Sequence, residues 1–129
     1  MATRKKDKGL AVEGLRIACG LDWRGGLDER GFEREDVPVF AFIGATEQVL
    51  RDVFVWLCRG GHVARGFRLG HEHAPAWRNG HCYRRITIEL IDYRPAFLST
   101  AELQTLIAAR LQAAGHEVEF FEYEKFINL

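Results

Sequence analysis

From Leu15 to Arg24 the larger apolar side chains, Leu15, Ile17, Cys19, Leu21 and Trp23, take every second position. That is the period of a half-buried strand. Gly25-Gly26 predicts its end, and the dense charges from Asp28 to Asp36 predict a loop or a short exposed helix. Val37 to Gly44 is then almost continuously apolar, as a central strand buried on both faces would be. Thr46 offers an N-cap and Glu47 an acid in the first turn, while Val49, Leu50, Val53, Phe54 and Leu57 recur at helical spacing. Gly60-Gly61 predicts a left-handed helix end.

The second half repeats this grammar. His62 to Leu69 alternates as a strand, Gly70 to Gly80 reads as a loop or hairpin end around Pro75 and Asn79-Gly80, and Cys82 to Asp92 alternates most clearly. Ile86, Ile88 and Leu90 take one face of that last strand, with Tyr83, Arg85, Thr87 and Glu89 on the other. Ser99-Thr-Ala-Glu102 has the spacing of a capping box and opens an amphipathic helix that continues through Leu103, Leu106, Ile107, in part Ala109, Arg110 and Leu111. Glu117 to Ile127 reads as a final strand, with a change of parity at Phe120-Phe121 that a bulge or an edge position would explain.

From Val37 onward the order is strand, helix, strand, strand, helix, strand. It resembles the ferredoxin-like split β-α-β-β-α-β arrangement, an α+β fold. The resemblance implies a four-stranded antiparallel sheet with both helices on one face, since crossovers are right-handed. The strands at 37–44 and 82–92 are expected to be central. The extra N-terminal strand is expected at an edge or across the open face. Residues 1–9 read as a disordered basic tail and 10–129 as one α+β domain.

Composition adds limits rather than a function. Hydrophobic residues make up 47% and charged residues 28% of 129, too apolar for a disordered chain. Net charge is zero, so bulk charge selects no partner and leaves self-association easy. Three cysteines without a C-x-x-C pair argue for reduced thiols in a cytoplasmic protein. Glu13 and Arg16 break any apolar segment after the basic start, so no signal peptide or membrane partner is expected.

Three groups of residues are candidates for a site. Phe40, Phe42, Tyr83, Arg85, Phe121 and Tyr123 would form an aromatic, arginine-dotted patch if they shared the helix-free face. That patch would bind a second copy or another protein, making the chain a non-enzymatic binding or assembly module. The strand at Glu117–Asn128 would offer an edge to a partner strand. Arg65, Arg68, Arg78, Arg84 and Arg85 give residues 62–91 five arginines against two acids, a formal +3. Four glutamates against Lys125 give residues 117–125 a formal −3. The basic half would suit nucleic acid or a phosphate ligand, or join head to tail with the acidic strand. Last, His71, His73, His81 and Cys82 carry donors suited to zinc, the one cofactor the sequence suggests. Glu72 stands between His71 and His73. The single-strand endonucleases that use two histidines and a tyrosine nucleophile place a bulky apolar residue there, so that chemistry is not assigned. No catalytic residue is assigned.

Overall fold

The computed structural model describes residues 16–27, 30, 31, 33–72, 76–78, 81–83 and 85–127, with backbone alone for 24–27, 33–36, 76–78 and 81–83. The basic tail at 1–9 lies outside the described residues. Among the described residues seven strands and three α-helices follow one another as β1 (Ile17–Leu27), β2 (Glu33–Ile43), α1 (Glu47–Leu57), β3 (Gly66–His71), β4 (Ala76–Arg78), β5 (His81–Tyr83), β6 (Ile86–Ile91), α2 (Thr100–Ala113), β7 (Val118–Glu122) and α3 (Tyr123–Phe126). Five strands form one sheet in the order β3-β6-β2-β1-β7, and β4 pairs with β5 apart from it.

This α+β sheet is mixed. β1 is antiparallel to β2, as β2 is to β6 and β3 to β6, but β7 runs parallel to β1. The expectation of a wholly antiparallel sheet is therefore corrected. The cause is the N-terminal strand, which neither sits at an edge nor crosses the open face. It is wedged between β2 and β7, with Cys19 opposite Phe42 on one side and Phe120 on the other. Its alternation suits an interior strand, with Ile17 and Cys19 buried on one face and Ala18 on the other.

The β1–β2 pair also outruns its neighbours. Gly26 pairs with Arg34 and Leu27 with Glu33, after a register shift between Arg24 and Gly26. The charged stretch expected to be a loop is thus partly a strand, because backbone pairing in a two-stranded ribbon does not require an apolar face. The strand expected from Cys82 to Asp92 is split into β5 and β6, and β5 returns on β4 with His81 opposite Arg78.

Local signals set the helices. Thr46 Oγ1 accepts a hydrogen bond from the Val49 N–H at 3.2 Å and starts α1. Gly60, at φ 79°, turns the chain just beyond it, in a conformation that a side chain would strain. Ser99 and Glu102 close a complete capping box on α2, with bonds of 3.2 and 2.9 Å. Both helices lie on one face. Their buried stripes, Leu50, Val53, Phe54 and Leu57 on α1 and Leu103, Ile107 and Leu111 on α2, meet Ile17, Cys19, Phe40, Phe42, Ile86, Ile88 and Leu90 in the main core. Burying each large side chain there contributes about 1.5–3 kcal/mol. The Arg110 guanidinium lies 4.5 Å from the centre of the Trp56 ring and ties α2 to α1.

The opposite face has its own small core. The chain leaves β7 after Glu122, earlier than expected, and a single helical turn, α3, sets Phe126 against Ala18, Ala41 and Ile43. This explains the parity change at Phe120-Phe121 without a bulge. Phe120 packs on the main core and Phe121 on the second one, so both faces of β7 want an apolar residue. Among the described residues no helix is long and apolar enough to cross a membrane.

Candidate functional site

Strand parity decides which aromatic residues are available. On β2 the even positions point toward the helices. Phe40 and Phe42 are fully buried there, with ring centres 5.9 and 6.0 Å from Phe54 of α1. Their expected place on the helix-free face is corrected. Alternation assigns a residue to one of two faces, but it does not say which face the helices will cover. Val39, Ala41 and Ile43 occupy the other face instead.

Phe121 and Tyr123 do lie on that other side, yet neither is bare. Phe121 is half-buried against the second core, and the Tyr123 ring stacks on Phe126 with centres 6.3 Å apart. This cover reaches β7, β1 and the Ala41–Ile43 end of β2. Beyond it, on β2, β6 and β3, the same face carries Val37, Thr87, Glu89, Ile91 and Arg68. Arg68 is exposed, while Val37, Thr87, Glu89 and Ile91 are half-exposed. Tyr83 sits on β5 opposite Ala76, and its side chain lies outside the described residues.

The arginines disperse. Arg65 is bonded to Asp92 at 2.7 Å on an exposed surface. Arg85 is half-buried in the link from β5 to β6. The side chains of Arg78 and Arg84 lie outside the described residues. Of the candidate arginines with described side chains, Arg68 lines a concave site, beside Glu89, its neighbour across the β3–β6 ladder. There a cavity of about 470 Å³ opens at one end of the sheet, walled by Trp23, Pro38, Tyr93 and Pro95 with Arg68, Glu89 and Asp92 at its polar side. Trp23 is 46% exposed, with its ring centre 6.4 Å from that of Tyr93. The Tyr93 hydroxyl donates to the Leu98 carbonyl at 2.7 Å; burial, and then the Glu102 charge, push its phenol pKa up. Asp92 adopts φ 54°, left-handed backbone for a non-glycine residue. The sequence singled out neither Trp23 nor Tyr93 for this role, because only the wedging of β1 beside β2 brings them together.

Of the four candidate metal ligands, His71 has a described side chain. His71 Nε2 lies 3.1 Å from Glu47 Oε1 at the start of α1, and Glu47 also accepts from Arg51 at 2.9 Å. Hydrogen bonds from Arg51 and then His71 hold the Glu47 carboxyl below its ordinary pKa. The side chains of His73, His81 and Cys82 lie outside the described residues. Among the described residues no three His, Cys, Asp or Glu side chains gather as metal ligands would.

The remaining surfaces are the sheet's two ends. β3 and β7 are its outermost strands, of six and five residues. The start of β7 is acidic, and Arg16 draws on that charge at 3.1 Å from Glu117 and 3.6 Å from Glu119. No family model matches the chain, and no curated protein and no solved structure matches it.

Proposed function

We propose that this chain is a small intracellular binding or assembly module that works through the edges of its sheet and the part of the helix-free face that α3 leaves open. Its core would be an elaborated ferredoxin-like arrangement, in which β2-α1-β3 and β6-α2-β7 are the two crossover units and β1 is the inserted strand. The observation that carries the functional reading is that, among the described residues, β3 and β7 are the outermost strands of the sheet, with no further strand paired to either. An open strand edge presents backbone donors and acceptors to another chain. The aromatic patch no longer supports the proposal, since Phe40 and Phe42 are core. Native mass spectrometry of the untagged protein tests it. Whole multiples of the chain mass, or a co-purified protein partner, are expected. A single chain mass at all concentrations would remove the self-assembly form.

A second reading is favoured by the cavity at Trp23. An aromatic wall with Arg68 beside it suits a planar anionic ligand such as a nucleotide or a single nucleic-acid strand. Binding would then weaken steeply as salt rises, and a flat salt titration would dismiss it.

A further inference from the structure

We propose that copies of this chain join head to tail, with β3 of one copy pairing antiparallel with β7 of the next. The inference rests on the assembly reading above and specifies its joint. Strand direction is the first support. β2 and β3 run the same way, since each is antiparallel to β6, whereas β7 follows β1 and runs the other way. A copy translated along the sheet therefore brings β7 to β3 as an antiparallel neighbour, with α1 and α2 kept on the same face.

The backbone supplies the second. The Glu72 N–H donates to the Arg85 carbonyl at 2.9 Å, so the even positions of β3 bond inward to β6. Phe67 and Leu69 then direct their backbone groups outward. The Ile17 N–H donates to the Glu117 carbonyl at 2.8 Å, so the odd positions of β7 bond inward to β1. Val118 and Phe120 then face outward. The two outward sets also share a side-chain face: Phe67, Leu69, Val118 and Phe120 are all half-buried against the main core beneath the helices. In the joined ladder these four apolar side chains would lie together, between α1 of one copy and α2 of the next. A register in which backbone and side-chain parity agree is what a buried sheet face demands.

Charge supplies the third and chooses the polarity. Arg65 and Arg68 flank the β3 edge, and Glu117, Glu119 and Glu122 line β7. A two-fold joint of β3 with β3, or β7 with β7, sets like charges across the ladder. The head-to-tail joint sets unlike ones. Arg68 is exposed, and Glu119 is 44% exposed while sharing Arg16. Such a contact is heterologous, so it continues into a ring or a filament rather than stopping at a dimer.

Sedimentation velocity across a wide concentration range tests this, with Arg68→Glu, Glu119→Arg and their equimolar mixture. The wild-type protein should grow beyond dimer. Each single variant should associate about tenfold more weakly while melting as the wild type does. The mixture should regain association, because each variant then offers its partner the opposite charge. Undiminished association in both single variants, or a species that stops at dimer, would overturn the edge joint and leave assembly by another surface. A monomer at every wild-type concentration would overturn both the joint and the self-assembly reading.

Discussion

Phe126 closes over Gly20 with no room for a methyl group between them: a Cβ at Gly20 would stand 2.7 Å from Phe126 Cγ and 2.8 Å from its Cβ. The contact is the reason the final turn can lie flat on β1 and seal Ala18, Ala41 and Ile43. Gly20→Ala should therefore destabilise the protein by about 1–3 kcal/mol, the usual cost of overpacking. Phe126→Ala should cost about 3–5 kcal/mol through the cavity it leaves. In the Phe126→Ala background, Gly20→Ala should cost less than it does alone, because the ring contacts are gone and only the approach to the retained Cβ, at 2.8 Å, remains. Urea denaturation of the two single variants and the double variant measures this. Additive losses would mean that Gly20 and Phe126 do not meet.

Much of the local structure was legible. The alternation of β1, the Thr46 cap, the Ser99–Glu102 capping box and the glycine turn at Gly60 all follow from neighbours in sequence. What was not legible is non-local. Nothing in Leu15–Trp23 says that the strand will part β2 from β7, and that choice alone makes the sheet mixed. The sequence puts Phe40 and Phe42 on one face of their strand, as they are, but leaves open which face the helices cover, because Val37–Ile43 is apolar on both faces. The candidate cavity was hidden for the same reason. Trp23, Arg68 and Tyr93 come from three separate segments, and only the strand order gathers them. For the acidic C-terminal strand the sequence left a bulge or an edge position open, and β7 is the last strand in the order of the sheet.

The placement of Phe42 gives a sharp expectation. Its ring is sealed against Phe40 and Phe54, with centres 6.4 and 6.0 Å away. Phe42→Ala should lose about 3–5 kcal/mol, and Phe42→Glu should not fold, since a buried unpaired charge adds its desolvation cost to the cavity. Thermal melts followed by circular dichroism decide it. A Phe42→Glu protein that melted like the wild type would return this ring to the surface.

Two carboxylates tie stability to pH. Hydrogen bonds from Ser99, the backbone one first, hold Glu102 below its ordinary pKa of 4.5, and Arg51 and His71 do the same for Glu47. A lowered folded-state pKa contributes stability that is present above the unfolded value and is lost as pH falls through the folded one. The acid limb of the stability curve should thus begin near pH 4.5 and deepen below it. Glu102→Gln keeps an acceptor for the Ser99 N–H, so it should flatten that limb while changing little at neutral pH. Ser99→Ala should cost about 1 kcal/mol at neutral pH, the usual value of an N-cap. Denaturation midpoints collected from neutral to acidic pH measure both. An unchanged acid limb in Glu102→Gln would show that the capping carboxylate is not coupled to folding.

Cysteine reactivity reads out the position of β1 directly. Cys19 is fully buried between Phe42 and Phe120 in the ladder, and burial pushes its thiol pKa well up. Cys58, at the end of α1, is half-exposed, and burial raises its thiol pKa as well. The thiolate is the nucleophile, so both should alkylate more slowly than a free cysteine, and Cys19 only when the sheet opens. In a Cys82→Ser background, peptide mapping after iodoacetamide treatment should find Cys58 modified first under native conditions. Denaturant should erase the difference. An edge strand or a strand laid over the face would leave Cys19 within reach of the reagent, whereas an interior strand does not. Equal native rates would therefore contradict the insertion of β1 between β2 and β7, and with it the parallel β1–β7 pairing that sets the direction of the outer edge.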